Sequence, residues 1–155
     1  MNASSIIIRE ARVAEIIDLR WKILRTGLAR ELGSFPGDDE PTTLHFAAVD
    51  GRDVVGCATF VRRDWRDRPA WQLRGMAVRD DLRGAGIGTR LLEIAEREIA
   101  RQAYSNQLWC NARVPAVKFY ERHGWTKAGE EFHVEHAGPH VKMIKTLAPA
   151  AQRPA

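Results

Sequence analysis

The 155-residue sequence lacks long apolar runs, a leader-like start and more than two cysteines. No stretch approaches the roughly 18 uninterrupted apolar residues of a transmembrane helix. Residues 1–5 show neither the charged region nor the apolar region of a signal peptide. Cys57 and Cys110 are too few for a disulfide framework or a metal site. These absences predict a reduced, cytoplasmic protein that uses no metal.

A large charge of one sign is missing too. The chain has 24 basic and 20 acidic residues, a net charge of +4, and it shows no nucleic-acid recognition motif. We therefore expect no nucleic-acid partner and no membrane partner. Residues 62–101 hold 10 basic and 7 acidic residues. An anionic ligand is more expected there than near the N-terminus.

Apolar periodicity and turn residues predict one α/β (α+β) domain over residues 1–148 and a flexible tail over 149–155. Predicted helices cover residues 12–28, 86–103 and 115–123. Predicted strands cover residues 6–8, 44–49, 54–61, 71–78, 107–111, 125–133 and 140–147. The order indicates a mixed central sheet of about six to seven strands flanked by helices.

A glycine-rich loop, Arg83-Gly84-Ala85-Gly86-Ile87-Gly88, lies between a predicted strand and helix. Free amides at a helix start and the positive end of its dipole suit a phosphate. A P-loop is excluded because Gly88 is not followed by Lys and Ser or Thr, and a dinucleotide fingerprint fails at Thr89. The remaining alternative is a glycine-rich helix start with a surface arginine.

Two motifs carry a family resemblance. The pattern Arg83-x-x-Gly86-x-Gly88 follows a strand that ends in Met76-Ala77-Val78. Downstream come Asn111-Ala112, then Phe119-Tyr120, then Gly124-Trp125. This arrangement resembles the GNAT superfamily of acetyl-CoA-dependent N-acetyltransferases, over about residues 5–147.

The resemblance implies a GNAT-like sheet that splays between its fourth and fifth strands. It implies acetyl-CoA or CoA as the co-substrate, with pantetheine along Met76, Ala77 and Val78. It implies that pyrophosphate binds at the loop and helix start, which comprise Arg83, Gly84, Ala85, Gly86, Ile87, Gly88 and Thr89. It also implies a cofactor role for Asn111, at the end of the fifth strand. Independently, Gly75 inside the fourth strand favours a bulge or a close backbone approach.

The resemblance also assigns Tyr120 as the donor to the departing CoA thiolate; otherwise Tyr120 is a packing tyrosine. Gln72 stands where some members carry a glutamate base, and an amide cannot take the proton. Glu131, His133, His140 or a water path remain as alternatives for the base. Gln72 and Arg74 are predicted substrate-binding residues. Arg74 is predicted to bind a carboxylate, unless it is a salt-bridged arginine or an arginine at the sheet edge.

The resemblance predicts transfer of an acetyl group from acetyl-CoA to a primary amine by direct attack. The alternative is a non-catalytic acyl-CoA-binding or sensor module of the same fold. The expected partner is a small-molecule or peptide amine, and the protein is expected to be a monomer or homodimer. The acidic loop Asp38-Asp39-Glu40 either attracts a cationic amine or is a solvated turn.

Overall fold

A computed structural model describes residues 5–148, so the predicted tail at 149–155 lies outside the described residues. Three α-helices are present, α1 (Val13–Leu24), α2 (Ile87–Arg101) and α3 (Val117–Arg122). The strands are β1 (Ile7–Ala11), β2 (Leu44–Asp50), β3 (Asp53–Arg62), β4 (Trp71–Val78), β5 (Gln107–Arg113), β6 (Thr126–Lys127), β7 (Phe132–Val134) and β8 (Gly138–Thr146).

The strands form one open sheet in the order β1-β2-β3-β4-β5-β8-β6, and β7 also pairs with β8. All pairs are antiparallel except β4 with β5. That parallel pair is short, since Trp71–Leu73 alone face Leu108–Cys110 in register. Beyond Leu73 the two strands separate, which confirms the predicted splay.

The helices cover both faces of the sheet. Successive residues of a strand point to opposite faces, so neighbouring residues of β3 contact different helices. In β3, Cys57 packs in a buried cluster with Ile16 and Leu19 of α1. Its neighbour Ala58 packs with Leu91 of α2 in the largest cluster. The mixed α/β fold predicted from the sequence is confirmed.

Several predicted boundaries differ from the structure. Helix α1 ends at Leu24 rather than at residue 28, because the backbone leaves the helical conformation at Arg25, whose φ is −131°. The predicted strand over 125–133 is two short strands, since Gly129 interrupts it with a φ of +146°. This division gives eight strands instead of six or seven. Strand β5 continues to Arg113, which pairs with His140.

Strand β4 contains a bulge at Gly75. The register between β3 and β4 shifts, because Cys57 faces Ala77 while Thr59 faces Arg74. Gly75 has a φ of +65°, in the left-handed region. A left-handed glycine at the first position of such a bulge bends the strand and increases its twist. The bulge therefore redirects the last residues of β4.

A buried arginine of α1 lies beneath the bulge. The Arg20 side chain is fully buried and binds Asp38 through two nitrogens, at 2.7 and 3.2 Å. Arg20 also donates to Thr59 Oγ1 at 2.7 Å and to the Gly33 carbonyl at 3.1 Å. These bonds tie α1, the segment that precedes β2, and β3 to one guanidinium.

We predict that Gly75→Ala destabilises the fold more than Gly51→Ala. Both glycines have positive φ, +65° and +60°, but a Cβ at Gly75 would lie 2.7 Å from Arg20 Nε, whereas one at Gly51 meets nothing within 4 Å. Gly51→Ala should cost about 1 kcal/mol of unfolding free energy for its backbone. Gly75→Ala should cost about 1–3 kcal/mol more for overpacking. Urea denaturation followed by circular dichroism measures both, and equal losses would show that the Arg20 contact is not tight.

Candidate active site

The splay of β4 and β5 opens a cleft of about 680 Å³, here called the long cleft. It runs between the end of β4, the start of α2 and the face of α3. Its lining residues are Ile23, Leu24, Met76, Ala77, Val78, Leu82, Arg83, Gly84, Gly86, Ile87, Gly88, Thr89, Arg113, Pro115, Ala116, Phe119, Tyr120 and Arg122. The list includes all the predicted cofactor residues except Ala85 and Asn111.

The start of α2 supplies an anion cradle at one end of the long cleft. Gly84 and Gly86 have φ values of +82° and +80°, and a Cβ built on either would meet nothing within 4 Å. The backbone is therefore open to a ligand there. The first-turn amides of α2 lack intrahelical acceptors, and together with the helix dipole they favour a phosphate. The residues present fit the pyrophosphate of CoA.

Charge and packing support the cradle from two sides. Arg83 and Arg122 line the same cleft and add positive charge. Arg83 is well exposed and pairs with Asp80 at 3.0 Å. Gly88 lies against α3, where an added Cβ would come within 3.3 Å of the Phe119 ring. The glycine therefore lets α2 and α3 approach each other closely at the cleft wall.

A second cavity of about 300 Å³ adjoins the long cleft on the β5 side; we call it the side cavity. Its lining residues are Leu24, Arg25, Phe35, Pro36, Gln72, Leu73, Arg74, Gly75, Met76, Cys110, Asn111, Ala112, Arg113, Ala116, Tyr120, Val134 and His140. Met76 and Tyr120 line both cavities. The junction therefore lies next to the β4 bulge, where a bound thioester and an amine could meet.

Tyr120 lies at this junction with 7% of its surface exposed. Its hydroxyl is 3.8 Å from Met76 Sδ, a weak acceptor. Burial raises the pKa of the phenol well above its usual range, and Cys110 adds to the shift. The hydroxyl therefore keeps its proton at any working pH and serves as a hydrogen-bond donor.

The three predicted base candidates lie in different environments. His140 is 6% exposed and lines the side cavity. Its Nδ1 is 2.9 Å from the Gly138 carbonyl, which can only accept, so Nδ1 carries the hydrogen and the neutral ring keeps Nε2 as an acceptor. The other two base candidates, Glu131 just before β7 and His133 within it, are exposed and line neither cavity.

The predicted substrate-binding pair, Gln72 and Arg74, lines the side cavity. Arg74 Nη2 donates to Gln72 Oε1 at 2.8 Å, and Nη1 donates to the Pro36 carbonyl. Burial lowers the pKa of Arg74, and the positive charge of Arg63 lowers it further. Arg74 is therefore not the salt-bridged arginine of the alternative prediction.

The acidic loop matches the predicted solvated turn only in part. Asp39 and Glu40 are exposed, but Asp38 is 8% exposed and is bound to Arg20, so Asp38 is neither solvated nor free to attract an amine. Glu40 pairs with Arg63 at 2.6 Å. The loop instead positions Phe35 and Pro36 on the wall of the side cavity, since the Phe35 amide donates to Asp38 Oδ2 at 2.8 Å.

Two predicted cofactor residues lie away from the long cleft. Asn111 is exposed, lines the side cavity instead, and accepts a hydrogen bond from Lys142 Nζ at 2.8 Å. Ala85 is exposed on the turn before α2 and lines neither cavity. The alternation of side chains along β5 explains the first difference, because Asn111 points away from buried Ala112.

Sequence reasoning missed several residues of the site. Arg25 follows α1, and Arg113 ends β5; both line the side cavity. Leu24, at the end of α1, lines both cavities. No motif marks these positions. The sequence contained one signal, an arginine at position 20 on the apolar stripe of α1, between Ile16 and Leu24 at helical spacing.

Within residues 5–148, no three His, Cys, Asp or Glu side chains group together in a way that could hold a metal ion. Among the helices of that region, none combines the length and apolar character needed to cross a bilayer.

Comparison with known proteins identifies the family. The pattern of the family described as "Acetyltransferase (GNAT) domain" matches residues 23–147. The chain therefore belongs to the GNAT acetyltransferases. It is an N-acetyltransferase with acetyl-CoA as co-substrate and an amine as acceptor.

Individual relatives agree with this assignment. The uncharacterised N-acetyltransferase YitI of Bacillus subtilis is 27% identical over 143 residues, which are 90% of this chain and 95% of YitI. Escherichia coli ElaA superposes with a TM-score of 0.77 at 16% identity, over 90% of this chain and 99% of that chain. An aminoglycoside 6'-N-acetyltransferase solved with coenzyme A gives a TM-score of 0.69 at 21% identity, over 96% of this chain and 99% of that one. At such identities the two structures show a shared fold.

We predict that Gly86→Asp abolishes CoA binding while Gly86→Asn weakens it much less. Asn and Asp have similar shapes and both tolerate a positive φ, so the pair isolates the effect of charge. A carboxylate beside the α2 amides would repel pyrophosphate. CoA affinity is measured by isothermal titration calorimetry on variants whose circular dichroism is unchanged. Equal affinity of the two variants would place the pyrophosphate elsewhere.

Proposed function

We propose that this enzyme transfers the acetyl group by direct attack of a neutral amine on the thioester, with both reagents meeting at Tyr120. The observation that carries the proposal is the buried tyrosine at the junction of two cavities. The long cleft takes acetyl-CoA, and the side cavity takes the amine. Holding the amine next to the thioester in a reactive orientation lowers the entropic part of the activation barrier.

Cofactor binding is assigned to the long cleft. The loop and helix start hold the pyrophosphate through the backbone amides of Gly84 and of Gly86 to Thr89, since the amides of Arg83 and Ala85 already donate to the carbonyls of Asp80 and Leu82. Met76, Ala77 and Val78 run along the cleft on a strand edge that β5 does not pair. These backbone groups are available to pantetheine, and an amide at Met76 or Ala77 polarises the carbonyl that the amine attacks.

Two side chains are assigned to the proton movements. Nε2 of His140, the unprotonated nitrogen of a ring that lines the side cavity, first accepts a proton from the bound ammonium and leaves a neutral amine. The amine attacks the thioester carbon, the C–S bond breaks, and the departing sulfur, held by a hydrogen bond from the Tyr120 hydroxyl, takes up the second proton that the nitrogen loses, which gives the amide and the thiol of CoA. Glu131 has no part in this scheme, since it lies outside both cavities.

A non-catalytic acyl-CoA sensor is the competing function. A binding module needs the long cleft and the cradle, but it needs neither the side cavity nor a hydroxyl at the junction. Tyr120 has no strong hydrogen-bond acceptor in the described structure. A buried hydroxyl without a good partner is costly, so this residue favours catalysis over sensing.

The cellular compartment and the kind of acceptor are proposed from the two cysteines and from the volume of the side cavity. We propose a cytoplasmic enzyme, because Cys57 and Cys110 are free and buried, and burial raises the pKa of each thiol to about 12. The acceptor is a small-molecule or peptide amine, in keeping with the modest volume of the side cavity. Nucleic acid, a membrane surface and an assembly beyond a monomer or homodimer have no role in the scheme.

We predict that Tyr120→Phe lowers kcat by about tenfold to a thousandfold, because the departing sulfur loses the hydrogen bond that the Tyr120 hydroxyl donates to it. The fold and the CoA affinity should persist, since the hydroxyl makes one weak contact. Steady-state release of free thiol from acetyl-CoA measures kcat.

The matched control is Tyr104→Phe, because Tyr104 and Tyr120 are the two tyrosines of the chain and Tyr104 packs against Trp71, away from both cavities. Tyr104→Phe should retain wild-type turnover. Wild-type turnover in Tyr120→Phe, with chemistry rate-limiting in single-turnover assays, would return Tyr120 to a packing role.

We predict that kcat/KM rises with pH in a way that depends on His140, because its ring must be unprotonated to act as base. His140→Ala should remove this limb, while His133→Ala, at an exposed position outside both cavities, should keep it. A water path would give a different profile, which rises towards about pH 9–10 with the amine's own ionisation. An unchanged profile in His140→Ala would support the water path.

A further inference from the structure

The charges around the side cavity do not balance. Three arginines line it, Arg25 from the end of α1, Arg74 from β4 and Arg113 from the end of β5. His140 adds a fourth basic group. No aspartate or glutamate is among the described residues that line this cavity. A site that receives a bare ammonium group would be expected to carry the opposite charge.

Each of the three guanidinium groups has only neutral acceptors around it. Arg25 Nη1 and Arg113 Nη2 donate to the same carbonyl, that of Leu24, at 3.1 and 2.9 Å. Arg74 donates to the Pro36 carbonyl and to Gln72 Oε1. None of the three forms an ion pair with a carboxylate in the described structure.

The nearby carboxylates are already neutralised. Asp38 is bound to buried Arg20 at 2.7 Å, and Glu40 to Arg63 at 2.6 Å. These two pairs contribute little net charge. Arg25, Arg74 and Arg113 therefore leave a positive excess in a half-buried cavity, where charges are screened less than at the surface.

The ionisation behaviour agrees with this geometry. Burial lowers the pKa of all three arginines, and a neighbouring cation lowers each further: Arg20 for Arg25, Arg25 for Arg113, and Arg63 for Arg74. Asp38 and Glu40 offset only part of the effect on Arg74. A bound anion would relieve the repulsion and replace the lost hydration.

We propose that the acceptor is a primary amine that also carries an anionic group, a carboxylate or a phosphate, which Arg25 and Arg74 bind in the side cavity. The inference rests on the proposed function, because it assigns the side cavity to the amine. Arg25 and Arg74 are the useful probes, since they line the side cavity alone, whereas Arg113 also borders the long cleft. A cavity of about 300 Å³ suits a small molecule with both groups.

The first test uses matched acceptors: phenylalanine against phenethylamine, and phosphoethanolamine against ethanolamine. Thiol release from acetyl-CoA gives kcat/KM, corrected for the fraction of neutral amine. We expect at least one acceptor with an anionic group to exceed its counterpart without one by tenfold or more, and the preferred pair separates carboxylate from phosphate. Equal or greater activity on phenethylamine and ethanolamine would overturn the inference while leaving the acetyltransferase function intact.

The second test uses Arg74→Gln and Arg25→Gln. Each should lower the preference for the anionic amine by about tenfold to a hundredfold, the effect of a lost charge-assisted hydrogen bond, and CoA affinity should stay within about twofold. Arg52→Gln is the control, because it removes the same charge from the exposed β2–β3 turn. An unchanged preference in both cavity variants would overturn the assignment of these arginines.

A binding measurement separates this inference from the proposed function. Inorganic phosphate or acetate is added to protein saturated with CoA, so that the α2 cradle is occupied, and Tm is compared with sodium chloride at equal ionic strength. We expect a rise in Tm that Arg74→Gln loses. No rise beyond that in sodium chloride overturns the anion site. Turnover of none of the four amines, together with a phosphate- or acetate-specific rise, would instead contradict the proposed acetyl transfer.

Discussion

The left-handed backbone of Gly75 is the constraint on which the site depends. At this residue β4 bulges, its register with β3 shifts, and its parallel pairing with β5 has already ended at Leu73. The strand ends that diverge here become the walls of two cavities, and Met76 borders both. A side chain at position 75 would collide with Arg20, so the bulge and the buried arginine fit only together.

The Arg20 cluster extends this constraint to the acceptor side. A buried ion pair gains little net stability over apolar packing, but losing one partner leaves an uncompensated charge. Arg20 Nε has no hydrogen-bond partner in the described structure, and the guanidinium stacks on Phe35 at 4.2 Å from the ring centroid. The cluster therefore holds the segment that carries Phe35 and Pro36 against β4. We infer that its role is to position this wall of the side cavity.

Local chemistry explains what the sequence could and could not predict. The glycine loop and Tyr120 lie within contiguous motifs, and their roles depend on neighbours a few residues away, so a single sequence indicates them. The side cavity joins α1, the loop before β2, β4, β5 and β8, and no local pattern records that meeting. In the sequence, Arg25 and Arg113 are therefore indistinguishable from ordinary charged residues. Asp38 belongs to an acidic loop that is predicted either to attract an amine or to be a solvated turn. Its burial follows from Arg20, which lies 18 residues earlier on another element.

The positive charge of the side cavity bears on the absence of a glutamate base at Gln72. A cation near an ammonium group favours its neutral form and so lowers its pKa. An amine that enters beside Arg25, Arg74 and Arg113 would lose its proton more readily than in water, while an anionic group on the same molecule compensates for the cost of entry. The reaction then needs only a weak base such as His140, or water, because the neighbouring cations already favour the neutral amine. A glutamate base, as some members of the family carry at the position of Gln72, is not required. On this argument, the arginines and Gln72 belong together. The three arginines exceed the charge of one anionic group on the acceptor, so the amine keeps positive surroundings, and Gln72 adds no negative charge of its own.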